Sequence, residues 1–466
     1  MRKYFWKIAL LAATSGCTSY QFEQNISDIN TNTDVVFSGQ ITVIKHTDQQ
    51  NALDAKATSI LENVVGEAEA VQLMLAKSPA FQKLLFTNLK EGSLAAQTGR
   101  IPNPTFAFER MVKGSETEYG RFLTFGLLDL LSLPSKQTTS KIAVEIANVN
   151  LATEILGSIM DVRLAWLNSV AAEEKFAIAE KTFVALSGSA ELAKRMKQTG
   201  NMTTTDRIKE QLVYSESVIS LAEAEQLRVS TRERLISLIG LNSSEAAMLS
   251  LPGSLPPLAE KPIEMSELVQ VFEDRFDVKL ARLDYELALA AMGIENVSTY
   301  TDLEIGIRND RINDGGSISN KRGYELEVAI PVFDWGGAQR NALQAEVLVK
   351  QQNFKQVTLA AASGLRDAYN SYRTSFDIAQ HYQEQIIPMH EVLLDEANYN
   401  YNGMIIGVFE LLEAGREKSL ADKKSIDANH NLLKAELNLR SSALGRSVGA
   451  ETGAIATNAV KKPKGH

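Results

Sequence analysis

The chain has 466 residues, of which 44% are hydrophobic and 7% aromatic, a composition that argues against global disorder. Its net charge of −9 argues against a nucleic-acid partner. After the N-terminus no apolar run reaches about 20 residues, so no transmembrane helix is expected in the mature protein.

The N-terminus has the pattern of a signal peptide over residues 1–16, with a basic start and an apolar centre. The segment ends at Cys17, the only cysteine, so a disulfide within the chain is impossible. It resembles a bacterial lipoprotein signal, in which cleavage before the cysteine exposes it for lipid attachment, although Thr14 stands where leucine is usual. The alternative is ordinary cleavage with an incidental Cys17. Either reading predicts a compartment outside the cytoplasm.

Polar residues dominate the next segment, 17–60, which is predicted to be an extended leader with little helix. A first repeat is predicted over residues 61–250. It begins with a half-length helix over 62–96, which ends at two prolines, Pro102 and Pro104.

Two short strands, Thr105–Met111 and Arg121–Leu128, follow and flank a polar loop. The spacing of apolar residues then predicts a helix over 136–198, which at 1.5 Å per residue is roughly 90 Å long. After a turn at Gly200, a shorter helix returns over 206–240.

A proline-dense linker, 251–262, separates this unit from a second repeat over 263–446 that has the same order. The second repeat comprises a half-length helix over 266–297, strands Thr301–Arg308 and Gly323–Phe333 around a polar loop, a helix over 337–400 kinked at Pro388, a turn, and a return helix to Leu444. Residues 447–466 are predicted to be a flexible tail.

The four strands alternate apolar and polar residues over about eight to ten positions, as strands that cross a membrane do. Four strands cannot close a barrel, and open edges are not tolerated in lipid, so other copies must complete the sheet. Three copies would supply about 12 strands. The alternative is a soluble β-layer that caps a helical bundle. The fold class is therefore mainly α, with long duplicated hairpins and a transmembrane β-barrel portion.

The turns between the long and the returning helices form two similar tips. Gly200 marks the first tip, and Gly403 and Gly407 mark the second. Glu410 and Glu413 follow the second tip three residues apart, so they share one face of the returning helix.

The duplicated order resembles the TolC-type outer-membrane factors, with Cys17 as in their lipid-anchored branch. The resemblance covers residues 60–445. It rests on the two tips and on two motifs, Arg100-Ile101-Pro102-Asn103-Pro104 and Pro331-Val332-Phe333-Asp334-Trp335-Gly336-Gly337. It implies a homotrimer in the outer membrane, with a 12-stranded barrel and a 12-helix periplasmic tunnel. It also implies docking to a periplasmic adaptor and an inner-membrane pump, for efflux or secretion.

The same resemblance assigns roles at the tips. Glu410 and Glu413 would form two rings of carboxylates that favour cations, and their mutual repulsion would raise some of their pKa values. The pair Thr205 and Asp206 would link to Tyr401 and hold the entrance closed. Ile406 stands where the family prototype has an arginine that joins this lock, so a weaker or differently built lock is expected.

Each of these residues also has a simpler interpretation. The two glutamates can be a solvated helix face, with Glu410 near a helix N-terminus where acids are favoured. Gly200, Gly403 and Gly407 can be ordinary helix stops, and they can also leave room for the tips of an adaptor.

No catalytic motif is present, and the five histidines lack metal-ligand spacing, so neither an enzyme nor a cofactor or metal site is expected. The competing hypothesis is a periplasmic lipoprotein that acts as a helical scaffold or adaptor without forming a channel. Such a protein would not need two copies of the strand-loop-strand unit.

Overall fold

The computed structural model describes residues 22–27, 30, 40–266, 275–298, 303–314, 316–330, 332–333 and 335–446. Several features predicted from the sequence lie outside these residues: the signal peptide, Cys17, most of the leader up to residue 39, the start of the second half-length helix, Pro331 and Asp334 of the second motif, and the tail.

The described elements follow one another in the predicted order. They are α1 (Thr47–Leu61), α2 (Glu67–Lys77), α3 (Pro79–Thr98), β1 (Thr105–Lys113), β2 (Glu116–Gly126), α4 (Leu127–Leu131), α5 (Leu133–Gln198), α6 (Thr204–Ile239), α7 (Ser243–Met248), α8 (Phe276–Ser298), β3 (Leu303–Asp314), β4 (Ser317–Val328), α9 (Gly337–His381), α10 (Ile387–Asn402) and α11 (Val408–Ala443).

One compact unit comprises Met1–Asp28, Leu84–Ala152 and Phe276–Ala360, and it contains the sheet. The strands pair antiparallel in the order β1-β2-β3-β4. Helices of the same unit are joined by polar contacts, such as the hydrogen bond from Ser140 Oγ to the Ala95 carbonyl at 2.8 Å.

The hairpins are tighter than the sequence predicted. Lys113 pairs with Glu116, so only two residues connect β1 and β2, and Gly114 adopts φ +62° there. β3 and β4 likewise pair up to Asp314 and Ser317. The prediction of two long polar loops was therefore wrong. Backbone hydrogen bonds between paired strands continue through polar residues as well as through apolar ones.

Alternation along the strands gives the sheet two different faces. The Phe106 face carries most of the exposed apolar side chains of the strands, among them Phe106, Phe108, Ile307, Tyr324 and Leu326. The Glu109 face carries all the carboxylates of the described strands, which are Glu109, Glu116, Glu118, Glu304, Asp310, Asp314, Glu325 and Glu327.

The second unit comprises Ile29–Lys83, Thr153–Arg275 and Ala361–His466. In this unit α9 and α11 share a core of small and aromatic residues, in which Tyr372 is 2% exposed and accepts a hydrogen bond from the Ile263 amide. Arg228 of α6 lies 3.9 Å from the centre of the Phe176 ring of α5. Close helix packing thus accounts for the long apolar stripes in the sequence.

The leader is not extended throughout, because residues 47–60 belong to α1. Ala57 and Leu61 of α1 are buried at helical spacing. Lys77, at the end of α2, forms ion pairs at 2.7 Å with Asp54 of α1 and with Glu245 of α7. This segment is therefore an ordered part of the second unit.

Among the described helices, α5 contains one segment apolar enough to cross a membrane by length and composition alone. The sequence analysis did not expect such a segment. Of this apolar segment, 44% is buried inside the protein. Packing against other helices therefore explains much of its apolar character.

The predicted kink at Pro388 coincides with a change of helix type. Between α9 and α10, Tyr382–Ile386 forms a π-helical turn, in which the Ile387 amide bonds to the Tyr382 carbonyl. Pro388 lies in the first turn of α10 and has no amide hydrogen to donate.

Candidate functional site: the helix tips

The first tip ends α5 with a complete Schellman motif. The Asn201 amide donates to the Met196 carbonyl at 2.9 Å, and the Gly200 amide donates to the Lys197 carbonyl at 3.2 Å. Gly200 adopts the left-handed conformation with φ +81°, which glycine reaches without a steric penalty.

The second tip has the same hydrogen bonds without a glycine in the equivalent position. The Ile405 amide donates to the Asn400 carbonyl at 2.8 Å, and the Met404 amide donates to the Tyr401 carbonyl at 3.0 Å. Met404, with φ 56°, takes the place that Gly200 has in the first tip. Gly403, with φ −75°, is an ordinary helical residue and is not the left-handed stop.

The second tip also exposes its apolar side chains. Met404 is 93% exposed and Ile405 is 75% exposed. Gly407 follows as the N-cap of α11, with an extended backbone and free space around the position of a Cβ. Two bare apolar side chains on a turn are suited to contact with another protein.

Asp206 is held by its own helix. Thr203 is the N-cap of α6, and its hydroxyl accepts from the Asp206 amide at 3.1 Å and donates to Asp206 Oδ2 at 2.6 Å. The Thr203 hydroxyl, aided by Lys209, lowers the pKa of Asp206. Thr205 is exposed on the first turn. The sequence analysis missed Thr203, although a threonine three residues before an acid is a capping-box pattern.

The two glutamates of α11 differ in their surroundings. Both side chains are exposed, and Glu410 lies in the first turn of the helix, next to the N-cap Gly407. Glu413 forms an ion pair with Arg416, one turn further on. Glu410 forms no ion pair with any residue in the described part of the chain. The negative charge of Glu413 is therefore partly neutralised by Arg416, a residue that the sequence analysis did not single out.

The proposed lock is not joined by a hydrogen bond within one chain. Of the residues that the structure describes, Thr203 and Lys209 contact the Asp206 carboxylate, and no hydrogen bond links it to Tyr401. Tyr401 is 40% exposed. The roles of Asp206, Tyr401 and Ile406 in closing an entrance stay predictions.

Contacts between neighbouring helices fix the positions of both tips. Ser189 of α5 donates to Glu210 Oε2 of α6 at 2.7 Å, about 16 Å along α5 from Gly200. Lys418 of α11 lies 3.8 Å from Glu391 of α10 and 3.0 Å from Asp422. In the described part of the chain no group of His, Cys, Asp and Glu side chains is placed to hold a metal ion.

Known proteins share this arrangement. Residues 268–446 match the outer membrane efflux protein family. The matched segment is less than half of the chain. The cobalt-zinc-cadmium resistance protein CzcC of Cupriavidus metallidurans is 23% identical over 247 residues, which are 51% of this chain and 58% of CzcC. The alignment thus spans a little over half of that relative.

Solved structures of the same fold cover most of the chain. The CmeC outer membrane channel of Campylobacter jejuni matches with a TM-score of 0.67 and 13% identity, over 89% of this chain and 91% of that structure. A membrane protein of Pseudomonas aeruginosa matches with a TM-score of 0.66 and 16% identity, over 84% and 94%.

These neighbours show that the chain has the TolC-type fold, as predicted from the sequence. Because the identities are low, this likeness shows the fold and assigns no role to any single residue. The roles of individual tip residues therefore rest on the geometry described above.

Proposed function

We propose that this chain is the outer-membrane exit channel of a tripartite efflux or secretion system, and that it acts as a homotrimer. The observation that carries this proposal is the four-stranded sheet. Its Phe106 face suits lipid, its Glu109 face suits water, and within the described residues β1 and β4 each pair on one side only. Open edges are not stable in lipid, so copies of the chain would pair β1 with β4 and close a barrel.

The tips are proposed to be the periplasmic entrance and the docking site for an adaptor that connects to an inner-membrane pump. Met404 and Ile405 offer apolar contacts at the second tip, and Gly407 leaves space beside them. Such a channel conducts passively and catalyses no reaction.

Glu410 and Glu413 are proposed to make the entrance selective for cations, because three copies of each carboxylate would surround the pore. CzcC is named a cobalt-zinc-cadmium resistance protein. Divalent metal cations are therefore the first cargo to test.

The test is the conductance of the purified protein in a planar bilayer, with Glu410→Gln/Glu413→Gln beside the wild type. We expect small cation-selective channels whose selectivity falls towards unity in the double variant. The matched control is Glu225→Gln/Glu233→Gln, which removes two exposed carboxylates about 28 Å or more along α6 from the first tip. If the tip variant still forms channels with unchanged selectivity, the chain is a channel but Glu410 and Glu413 do not select for cations.

A second measurement separates the channel from the scaffold hypothesis. With Cys17 replaced by serine, a barrel still requires detergent for extraction, whereas a lipid-anchored scaffold becomes soluble. Soluble, well-folded protein that forms no channels would overturn the proposed function.

A further inference from the structure

Four of the five arginines in the described strands lie on the Phe106 face: Arg110, Arg121, Arg311 and Arg322. All four side chains are exposed. An arginine on the lipid side of a barrel is destabilising at the centre of the bilayer and close to neutral near its surface. Their presence on this face therefore needs a polar environment outside the sheet.

The register places these four arginines, named here the arginine row, in a continuous line across all four strands. Arg110 is directly opposite Tyr119, and Tyr119 is directly opposite Arg311. Arg121 and Arg322 both face Asn309 from the two sides. Each arginine is thus the diagonal neighbour of the next, at about 7–8 Å between backbones.

No anion from the described strands neutralises the arginine row. Every carboxylate of the strands points to the Glu109 face, where Arg308 pairs with Asp310 at 2.6 Å. On the Phe106 face the neighbours are neutral, and Arg110 lies 5.8 Å from the centre of the Tyr119 ring. None of the four guanidinium groups forms an ion pair with another residue that the structure describes. Four adjacent positive charges without counter-ions are suited to an external anion.

The height of the row along the strands indicates which anion. Arg110 lies four residues before Gly114 in the turn of its hairpin, so about 13 Å separates them. On the other side, the apolar side chains of this face extend from the level of Phe108 to that of Val328, which is six residues or about 20 Å, close to the apolar height of a typical outer-membrane barrel. Beyond the row only Val112 and Ile318 of the described strands are apolar on this face, so the row lies near the hairpin end of the apolar band, at the level of lipid headgroups.

We propose that the arginine row binds the phosphate groups of lipid A, the phosphorylated lipid of the outer leaflet. The inference rests on the proposed function, because it needs the Phe106 face to contact lipid and the hairpins to point outwards. Guanidinium groups bind phosphate oxygens in pairs, and several arginines at one level fit a lipid with more than one phosphate. In the trimer the row is repeated three times and surrounds the barrel.

The experiment measures binding of bisphosphorylated lipid A to the full-length protein in detergent micelles. Arg110→Gln/Arg322→Gln removes two charges of the row, from β1 and β4. The matched control, Lys113→Gln/Lys321→Gln, removes two charges from the same strands on the Glu109 face. We expect the arginine variant to bind lipid A about 10-fold more weakly or worse, and the control to bind as the wild type does. Equal binding by all three proteins would overturn the proposal.

A second pair of variants leaves every arginine in place. Asn309→Glu/Asn320→Glu adds two carboxylates between the arginines, and Ser317→Glu/Ser319→Glu adds two on the Glu109 face of β4. We expect only the first pair to lose lipid A. If the arginine variants do not fold, this comparison tests the proposal instead, and equal binding of lipid A by both pairs would overturn it.

Two further ligands separate lipid A from other anions. Monophosphorylated lipid A should bind more weakly than the bisphosphorylated form, and phosphatidylglycerol more weakly than either. Equal binding of phosphatidylglycerol would overturn the assignment to lipid A. The conductance of the same preparations distinguishes the two proposals. Channels that form without binding lipid A would reject only the binding of lipid A by the arginine row. Failure to form channels would reject the proposed function.

Discussion

Met404 has a backbone conformation that a side chain disfavours, in the same hydrogen-bonded turn where the first tip has Gly200. A left-handed residue with a Cβ costs about 1–2 kcal/mol, and glycine avoids that cost. Backbone strain at an exposed side chain leads to the prediction that Met404 contacts a partner.

Met404→Gly is therefore expected to stabilise the second tip by about 0.5–1 kcal/mol. Amide hydrogen exchange at Ile405 should slow by up to about fivefold, since that factor corresponds to about 1 kcal/mol. Gly200→Ala is the converse variant and should accelerate exchange at Asn201. Faster exchange in Met404→Gly would contradict the strain.

Arg416 is expected to weaken the negative field of Glu413, because the two side chains form an ion pair within one turn of α11. Arg416→Gln should therefore increase the preference of the channel for cations, and Glu410→Gln should reduce it more than Glu413→Gln does. Single-channel reversal potentials in a salt gradient measure this preference. An unchanged preference in Arg416→Gln would show that the ion pair does not influence the pore.

At the scale of elements, a half-buried histidine joins two long helices. His430 of α11 contacts Asn168 Oδ1 of α5 at 2.8 Å. Burial lowers the pKa of His430, and Lys175 of α5 and Lys434 of α11 lower it further, while Asp427 raises it. Lys175 also forms an ion pair with Asp427, so a positive and a negative charge lie side by side near His430.

The free energy of unfolding is expected to fall as the pH drops below about 7. The unfolded histidine takes up a proton near its ordinary pKa of about 6.5, whereas the folded one does so only at a lower pH. Protonation therefore favours the unfolded state through this window, and the loss ends below the folded pKa. Urea unfolding of His430→Gln should show a smaller decrease. His381→Gln, which changes an exposed histidine, is the control.

At the scale of the whole molecule, the sheet has two edges, and pairing between β1 of one copy and β4 of the next would remove both. The side chains on the Glu109 face would then meet across the new pair. Cys17 is the only natural cysteine, so introduced cysteines report such pairing directly.

Cysteine at Ala107 of β1, combined in turn with cysteine at Lys321, Gly323 or Glu325 of β4, is expected to give oxidised dimers and trimers in one of these registers. Denaturing gels without reductant measure the products. The control is cysteine at Phe122 of β2, an inner strand. Combined with the same β4 cysteines, it should give no cross-linked dimers or trimers. Cross-links that stop at dimers in every register would contradict the trimer.

Much of this architecture was accessible from the sequence because it depends on local periodicity. The apolar spacing of α5 and α6, the prolines before β1 and the alternation in the strands each follow from backbone geometry alone. The predicted order of strands and long helices along the chain agreed with the structure for the same reason. Helix α1 was missed because its stripe is short and lies in a polar segment.

Only the tertiary structure decided the strand register and the turn geometry, because both depend on residues that are distant in the sequence or belong to several elements. The polar ends of β2, β3 and β4 carry no apolar pattern, and only pairing with neighbouring strands extends them and aligns Arg110, Arg121, Arg311 and Arg322. The sequence also could not identify the left-handed residue of the second tip, because Gly403 and Gly407 on either side of Met404 are better candidates. Only the hydrogen bonds of the turn assign this conformation to Met404. Periodicity is a property of one element, whereas register and turn geometry are set by the free energy of several elements together.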